Sequence, residues 1–87
     1  MDQLEDKVAI VTGGGMGLGQ AVCEEMASRG AIVVVADVNE EAANRVAESI
    51  VRKGLRASAM PVDVSREADV SHLIATTVSR FGRLDYI

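Results

Sequence analysis

The stretch Val8-Ala9-Ile10-Val11-Thr12-Gly13-Gly14-Gly15-Met16-Gly17-Leu18-Gly19 leaves this chain few folds to choose from. Its apolar run has no polar alternation, which predicts a parallel strand buried on both faces. The run empties into glycines, where the backbone can take positive φ and a ligand can approach without meeting a Cβ. A helical pattern follows from near Gly17, and such a helix aims its free N–H groups and its positive end at whatever lies over the turn. The ligand favoured there is an anion, most simply a phosphate.

Two familiar phosphate loops do not fit. A nucleoside-triphosphate loop needs Lys and then Ser or Thr after its last glycine, and this chain has Gln20 and Ala21. The spacing G-x-G-x-x-G fails from Gly13, Gly15 and Gly17 alike, since the last position falls on Leu18, Gln20 or Val22. What fits is the longer turn Thr12-Gly13-x-x-x-Gly17-x-Gly19. A glycine-rich turn also serves as a plain strand-to-helix connection, so its context decides.

That context is a regular alternation. A first strand over 7–12 and a first helix over 17–29, with Leu18, Ala21, Val22 and Met26 as its apolar face, end at Gly30. Ala31 to Ala36 is a second unbroken apolar run, closed by Asp37. Asn39 is placed to cap the next helix, with Glu40 and Glu41 against its dipole, and Ala43, Val46, Ala47, Ile50 and Val51 recur at helical spacing. Residues 56–62 read as a weaker strand in which Pro61 suits an end or an edge. Ser65 is the expected cap of a third helix, whose Val70, Leu73, Ile74, Thr77, Val78 and Phe81 promise the cleanest amphipathic stripe. Leu84-Asp85-Tyr86-Ile87 looks like the start of a fourth strand.

The pattern βαβαβαβ with short connections and right-handed crossovers predicts one α/β unit over 1–87, half of a doubly wound parallel sheet of the Rossmann type. Its strand order is 3-2-1-4, cut off within strand 4. The switch point lies between strands 1 and 4, at the end where the glycine turn sits. The third helix has to cover one face almost alone, so part of the Val8 to Val11 and Ile32 to Val35 runs is expected to stay exposed and the isolated chain to be poorly stable.

Charge and cysteine content narrow the function further. A net charge of −4 and a pI near 4.8 exclude a basic nucleic-acid or anionic-membrane surface. The acidic N-terminus leads into an apolar run too short for a signal peptide or a membrane span, so a cytoplasmic protein is expected. The single cysteine, Cys23, permits no internal disulfide and reads as packing. His72 has no second ligand at metal spacing, so no metal site is expected.

Three strand ends converge on one crevice: the glycine turn, Asp37 and Asp63. Asp37 follows Gly19 by 18 residues, near the interval of about 20 at which an acid meets the ribose hydroxyls of NAD. Asp37 could instead be a simple turn former. For Asp63 that plainer reading is stronger, because Asp-Val-Ser before a helix also suits a capping turn.

These residues together resemble the short-chain dehydrogenase/reductase family, and the resemblance covers the whole chain. Thr12-Gly13-x-x-x-Gly17-x-Gly19 is similar to that family's cofactor turn, Asp37 to its NAD-selecting acid, and Asp63-Val64 to the pair that contacts adenine. Phe81-Gly82-Arg83-Leu84-Asp85-Tyr86-Ile87 is similar to the segment leading into strand 4 and the family's Asn-Asn-Ala-Gly motif. Met16 departs from the Ser or Arg common at its position. The resemblance implies a cofactor-binding set of Thr12, Gly13, Gly15, Met16, Gly17, Leu18 and Gly19 in the turn, with Asp37, Val38, Asp63 and Val64 at the later strand ends.

The same resemblance implies an oxidoreductase that moves a hydride between NAD(H) and a carbonyl or secondary alcohol, with NAD favoured over NADP. It admits a homo-oligomer and implies no membrane and no nucleic-acid partner. The family's catalytic Ser, Tyr and Lys lie beyond the Asn-Asn-Ala-Gly segment, so no residue of this chain is expected to be catalytic. Tyr86 has no Lys four positions later and reads as a strand residue. The expectation is the N-terminal cofactor-binding part of a longer enzyme, against the alternatives of a non-catalytic dinucleotide-binding module and a structural remnant.

Overall fold

A computed structural model of the chain describes residues 3–87. The elements run β1 (Val8–Thr12), α1 (Gly17–Ser28), β2 (Ile32–Asp37), α2 (Glu40–Arg52), β3 (Arg56–Pro61) and α3 (Glu67–Phe81). The three strands form a parallel sheet in the order β1-β2-β3. Val8 lies opposite Ile32 and Ile32 opposite Arg56, and the alignment holds through to Thr12, Ala36 and Met60. Because the strands are in step, their carboxyl ends emerge together, and the loops after β1, β2 and β3 crowd one edge of the sheet.

The unbroken apolar runs behave as a two-sided sheet requires. Val33 and Val35 face α1 and α2, in one core with Cys23, Ala27, Ala43, Val46, Ala47 and Ile50. Ile10, Val34 and Ala36 face the other way, into a second core with Val62 and Leu73. Strand residues alternate faces, so both faces of β2 must be apolar, and no polar residue interrupts it before Asp37.

Beyond β1, on the side away from β2, Tyr86 makes a single parallel bridge to Ala9. The Ile10 amide donates to the Tyr86 carbonyl at 2.9 Å, and the Asp85 amide to the Val8 carbonyl at 2.9 Å. The position is the one that a 3-2-1-4 order demands, but the expected fourth strand amounts to that one bridge among the described residues.

Several local expectations are corrected. The strand runs are covered further than expected: Val8, Ala9, Ile10, Val33, Val34 and Val35 are buried and only Val11 and Ile32 stay partly exposed, because α1 and α2 cover one face while α3 and the 82–87 segment close over the second face and the open edge of β1. The exposed large apolar side chains lie outside the strands: Leu18, Val22, Val51 and Val78 on helices, Met16, Val38 and Val64 in the loops at the strand ends, and Tyr86 and Ile87 at the last residues. The buried face of α1 is Cys23 and Ala27, with Met26 partly buried against the same core, whereas Leu18, Ala21 and Val22 are exposed. Small side chains are what fit where that helix lies close against the glycine turn.

The best-segregated helix is α2, with Ala42, Ala43, Val46, Ala47 and Ile50 buried, whereas α3 buries only Leu73 and Thr77. Asn39 caps α2 as expected, its side chain accepting from the Ala42 amide at 3.0 Å. Ser65 does not cap α3. The N-cap position belongs to Arg66, which makes no side-chain cap bond, because the Ser65 hydroxyl donates to Asp63 Oδ1 at 2.6 Å.

At the far end of the sheet Arg56 gathers the chain. Its guanidinium donates to Glu5 at 3.2 Å, to Asp6 at 2.8 Å and to the Gly30 carbonyl at 2.9 Å. Asp6 takes a left-handed φ of 64° to make this turn.

The 82–87 segment is held by Asp85, which accepts from the Val8 amide at 2.9 Å and from both Nε and an NH2 group of Arg83. The Arg83 hydrogen bond, with the Val8 amide second, holds the Asp85 carboxyl below its ordinary value of 3.8. A carboxyl depressed by folding stabilises the fold fully above its unfolded pKa and loses that contribution as pH falls through the folded one. Asp85→Asn is therefore expected to be less stable than the parent at pH 7. Acid titration of both proteins should show the difference closing below pH 3.8.

Candidate functional site

The loop after β1 is shaped by contacts that a side chain would break. Gly13 and Gly17 have φ of 67° and 59°, the left-handed region in which L residues are strained. Gly19 faces a different constraint: a Cβ there would collide with the Gly13 carbonyl oxygen, and all three of its nearest neighbours are backbone atoms. The loop is drawn down onto β2 by the Gly14 amide, which donates to the Ala36 carbonyl at 3.2 Å.

Below it lies Cys23, fully buried, its Sγ 3.9 Å from the Gly14 carbonyl. Burial first, then the charge of Glu24, pushes its thiol up to about 11. It is a packing residue, not a nucleophile.

The first turn of α1 is left open. The N-cap residue, Met16, makes no side-chain cap bond, and no acid stands in the first turn. In contrast, α2 carries Glu40 and Glu41 there and α3 carries Glu67 and Asp69. Of the three helices, α1 alone offers its positive end to an anion from outside.

Asp37, half-buried at the end of β2, is tied on both oxygens. Oδ2 accepts from the Gly15 amide at 3.0 Å and Oδ1 from the Asn39 amide at 2.9 Å. Those two bonds fix the carboxylate's plane between the glycine loop and the start of α2. Each oxygen keeps a free lone pair, so the group can still accept from a ligand.

Asp63 is engaged as the plainer reading has it. Oδ1 accepts from the Ser65 hydroxyl and amide, and these two bonds, the hydroxyl foremost, hold its carboxyl below the ordinary value. Its own amide donates to Asp69 at 3.2 Å. The turn fixes the backbone of Asp63 and Val64 at the rim.

A cleft of about 190 Å³ joins these strand ends, lined by Gly13, Ala36, Asp37, Val38, Val62, Asp63 and Val64. It brings together five of the residues singled out in the sequence. Thr12 lies outside it, in a separate groove with Val22 and Tyr86. Met16 and Leu18 do not line the cleft and are exposed, Leu18 to 82%. Gly15 is buried beneath the loop.

Sequence reasoning missed Ala36 and Val62, which form the apolar floor. Both end apolar runs just before the acids, a signal visible in hindsight. It also missed Gly14, marked only by being the middle of three glycines, and Ala42, which packs under Gly15.

Among the described residues no helix is long and apolar enough to cross a membrane, and no three His, Cys, Asp or Glu side chains converge as a metal site.

Residues 7–87 match the family model described as short chain dehydrogenase. Over 85 residues the chain is 42% identical to the 2,5-dichloro-2,5-cyclohexadiene-1,4-diol dehydrogenase of Sphingobium indicum, covering 98% of this chain and 33% of that protein. It is 38% identical over 85 residues to the 7alpha-hydroxysteroid dehydrogenase of Escherichia coli, again covering 98% and 33%. A solved structure of 7alpha-hydroxysteroid dehydrogenase, complexed with NADH and 7-oxo glycochenodeoxycholic acid, superposes with a TM-score of 0.91 at 39% identity. That match covers 94% of this chain and 32% of the other. The chain thus spans about a third of the length of the curated relatives it matches.

Proposed function

The chain belongs to the short chain dehydrogenase family, and from that membership we propose that it binds NAD(H) across the carboxyl ends of β1, β2 and β3. In this reading the open first turn of α1 receives the pyrophosphate, with Thr12, Gly13, Gly15, Met16, Gly17, Leu18 and Gly19 forming the turn around it. Asp37 accepts from the adenosine ribose hydroxyls. Val38, Asp63 and Val64 flank the adenine over the apolar floor of Ala36 and Val62. The complete protein is then an oxidoreductase that transfers a hydride between the nicotinamide and a carbonyl or secondary alcohol.

The nicotinamide supplies the hydride chemistry; these residues hold the adenosine and pyrophosphate part of the same molecule. The relative solved with NADH in place supports a reduced nicotinamide dinucleotide as the ligand.

The observation that carries the choice of NAD over NADP is Asp37 itself, held in plane by the Gly15 and Asn39 amides. No residue lining the cleft has a positive charge. A 2′-phosphate brings close to two negative charges against that carboxylate. At about 5 Å and an effective dielectric near 20 the repulsion amounts to several kcal/mol before screening.

NAD is therefore expected to bind on the order of 100-fold more tightly than NADP, a gap of about 2.7 kcal/mol. Asp37→Ala should close most of it. Calorimetric titration of both proteins with both dinucleotides checks this; equal affinities in the unmodified protein would show that Asp37 does not reach the ribose.

A further inference from the structure

Asp37 and Gly15 stand closer than hydrogen bonding alone requires. An ideal Cβ on Gly15 would lie 2.8 Å from Asp37 Oδ2, 2.7 Å from the Ala42 Cβ and 3.1 Å from the Ala42 carbonyl carbon. Gly15 is not among the residues with positive φ, so its backbone would accept any L side chain. Glycine is required here by its neighbours and not by the turn.

Neither neighbour is free to step aside. Ala42 is fully buried, and its amide is held by the Asn39 side chain at 3.0 Å. The second oxygen of Asp37 is held by the Asn39 amide. Asn39 thus fastens both walls of the slot in which Gly15 sits.

We propose that Gly15 is a specificity-determining residue, whose missing side chain keeps the Asp37 carboxylate in the orientation that admits an unphosphorylated ribose and excludes a 2′-phosphate. The proposal rests on the reading of Asp37 given above. A methyl group at residue 15 must push the carboxylate off the Gly15 amide or lift the loop away from α2. Either movement displaces the one group that both accepts from the 2′-hydroxyl and repels its phosphate ester. Discrimination falls although no side chain that touches the cofactor has been exchanged.

The test compares NAD and NADP affinities of the full chain, of Gly15→Ala, of Asp37→Ala and of the double variant, with thermal unfolding run alongside. The expected result is a drop of about tenfold or more in the NAD-to-NADP ratio for Gly15→Ala. In the Asp37→Ala background the same change should have no further effect on the ratio, because the two residues act through one carboxylate.

Adding Ala42→Gly to Gly15→Ala makes room on the α2 side and should restore part of the ratio. It also carries the test if the single variant does not fold. An unchanged ratio in Gly15→Ala, or an equal drop with and without Asp37, overturns the proposal while leaving the assignment of Asp37 standing. Equal binding of NAD and NADP by the unmodified chain overturns both.

Discussion

Gly19→Ala is expected to weaken dinucleotide binding by on the order of 100-fold and to lower stability by about 1 to 3 kcal/mol. The reason lies in what surrounds the new methyl group. It would overlap the Gly13 carbonyl oxygen and stand 2.7 Å from the Gly13 carbonyl carbon and 3.0 Å from the Gly14 Cα. A flexible side chain could swing away, but backbone cannot, so the first turn of α1 and the loop must separate. The amides proposed to cradle the pyrophosphate then retreat together.

Gly17→Ala is the informative contrast. Its Cβ meets nothing within 4 Å, so the cost is confined to the left-handed φ, roughly 1 to 2 kcal/mol, and most of the affinity should survive. Titration with NAD and thermal unfolding of both variants separate crowding from backbone strain. Undiminished binding by Gly19→Ala would remove the glycine turn from the site.

The second large effect is expected at Ile50. This side chain is 1% exposed and joins α2 to Val33 and Val35 in the larger of the two cores. Ile50→Ala leaves a cavity that its neighbours, mostly valines and alanines in regular elements, cannot collapse to fill. The expected loss is about 2 to 5 kcal/mol, against a total of only about 5 to 15 for a domain of ordinary stability. A variant that keeps so little should unfold at much lower denaturant, which urea titration at constant pH would read as a shift in midpoint with an unchanged slope. Val51→Ala, one residue on and 53% exposed, should change the midpoint far less.

The pair Ile50 and Val51 also shows where the sequence was legible and where it was not. Periodicity placed both on one apolar face, yet only Ile50 is buried, because a helix lying on a twisted sheet covers a narrower strip than its hydrophobic positions span. On α1 the error ran the other way. Large apolar residues marked Leu18 and Val22, while the structure buries Cys23 and Ala27, since close approach to a glycine turn selects small volume, a property that hydropathy does not register.

The strands were easier. The run from Ala31 to Ala36 admits one reading, and the observed strand, Ile32–Asp37, lies one residue further along. Asp37 was legible because it ends that run abruptly. Its bond to the Gly15 amide was not, since sequence spacing places two loops at one edge without saying which amide meets which oxygen. Ser65 departs from the capping role that its position suggests because a hydroxyl beside a helix start can turn either way, and Asp63 offers the stronger acceptor.

The clasp that Arg56 makes with Glu5, Asp6 and the Gly30 carbonyl has a practical side. It secures the entry to β1, and five residues at about 3.3 Å each put roughly 16 Å of strand between that entry and the glycine turn. An affinity handle, fluorophore or surface tether joined ahead of Gln3 would therefore sit at the opposite pole from the crevice. A protein immobilised that way would present its dinucleotide end to the solution.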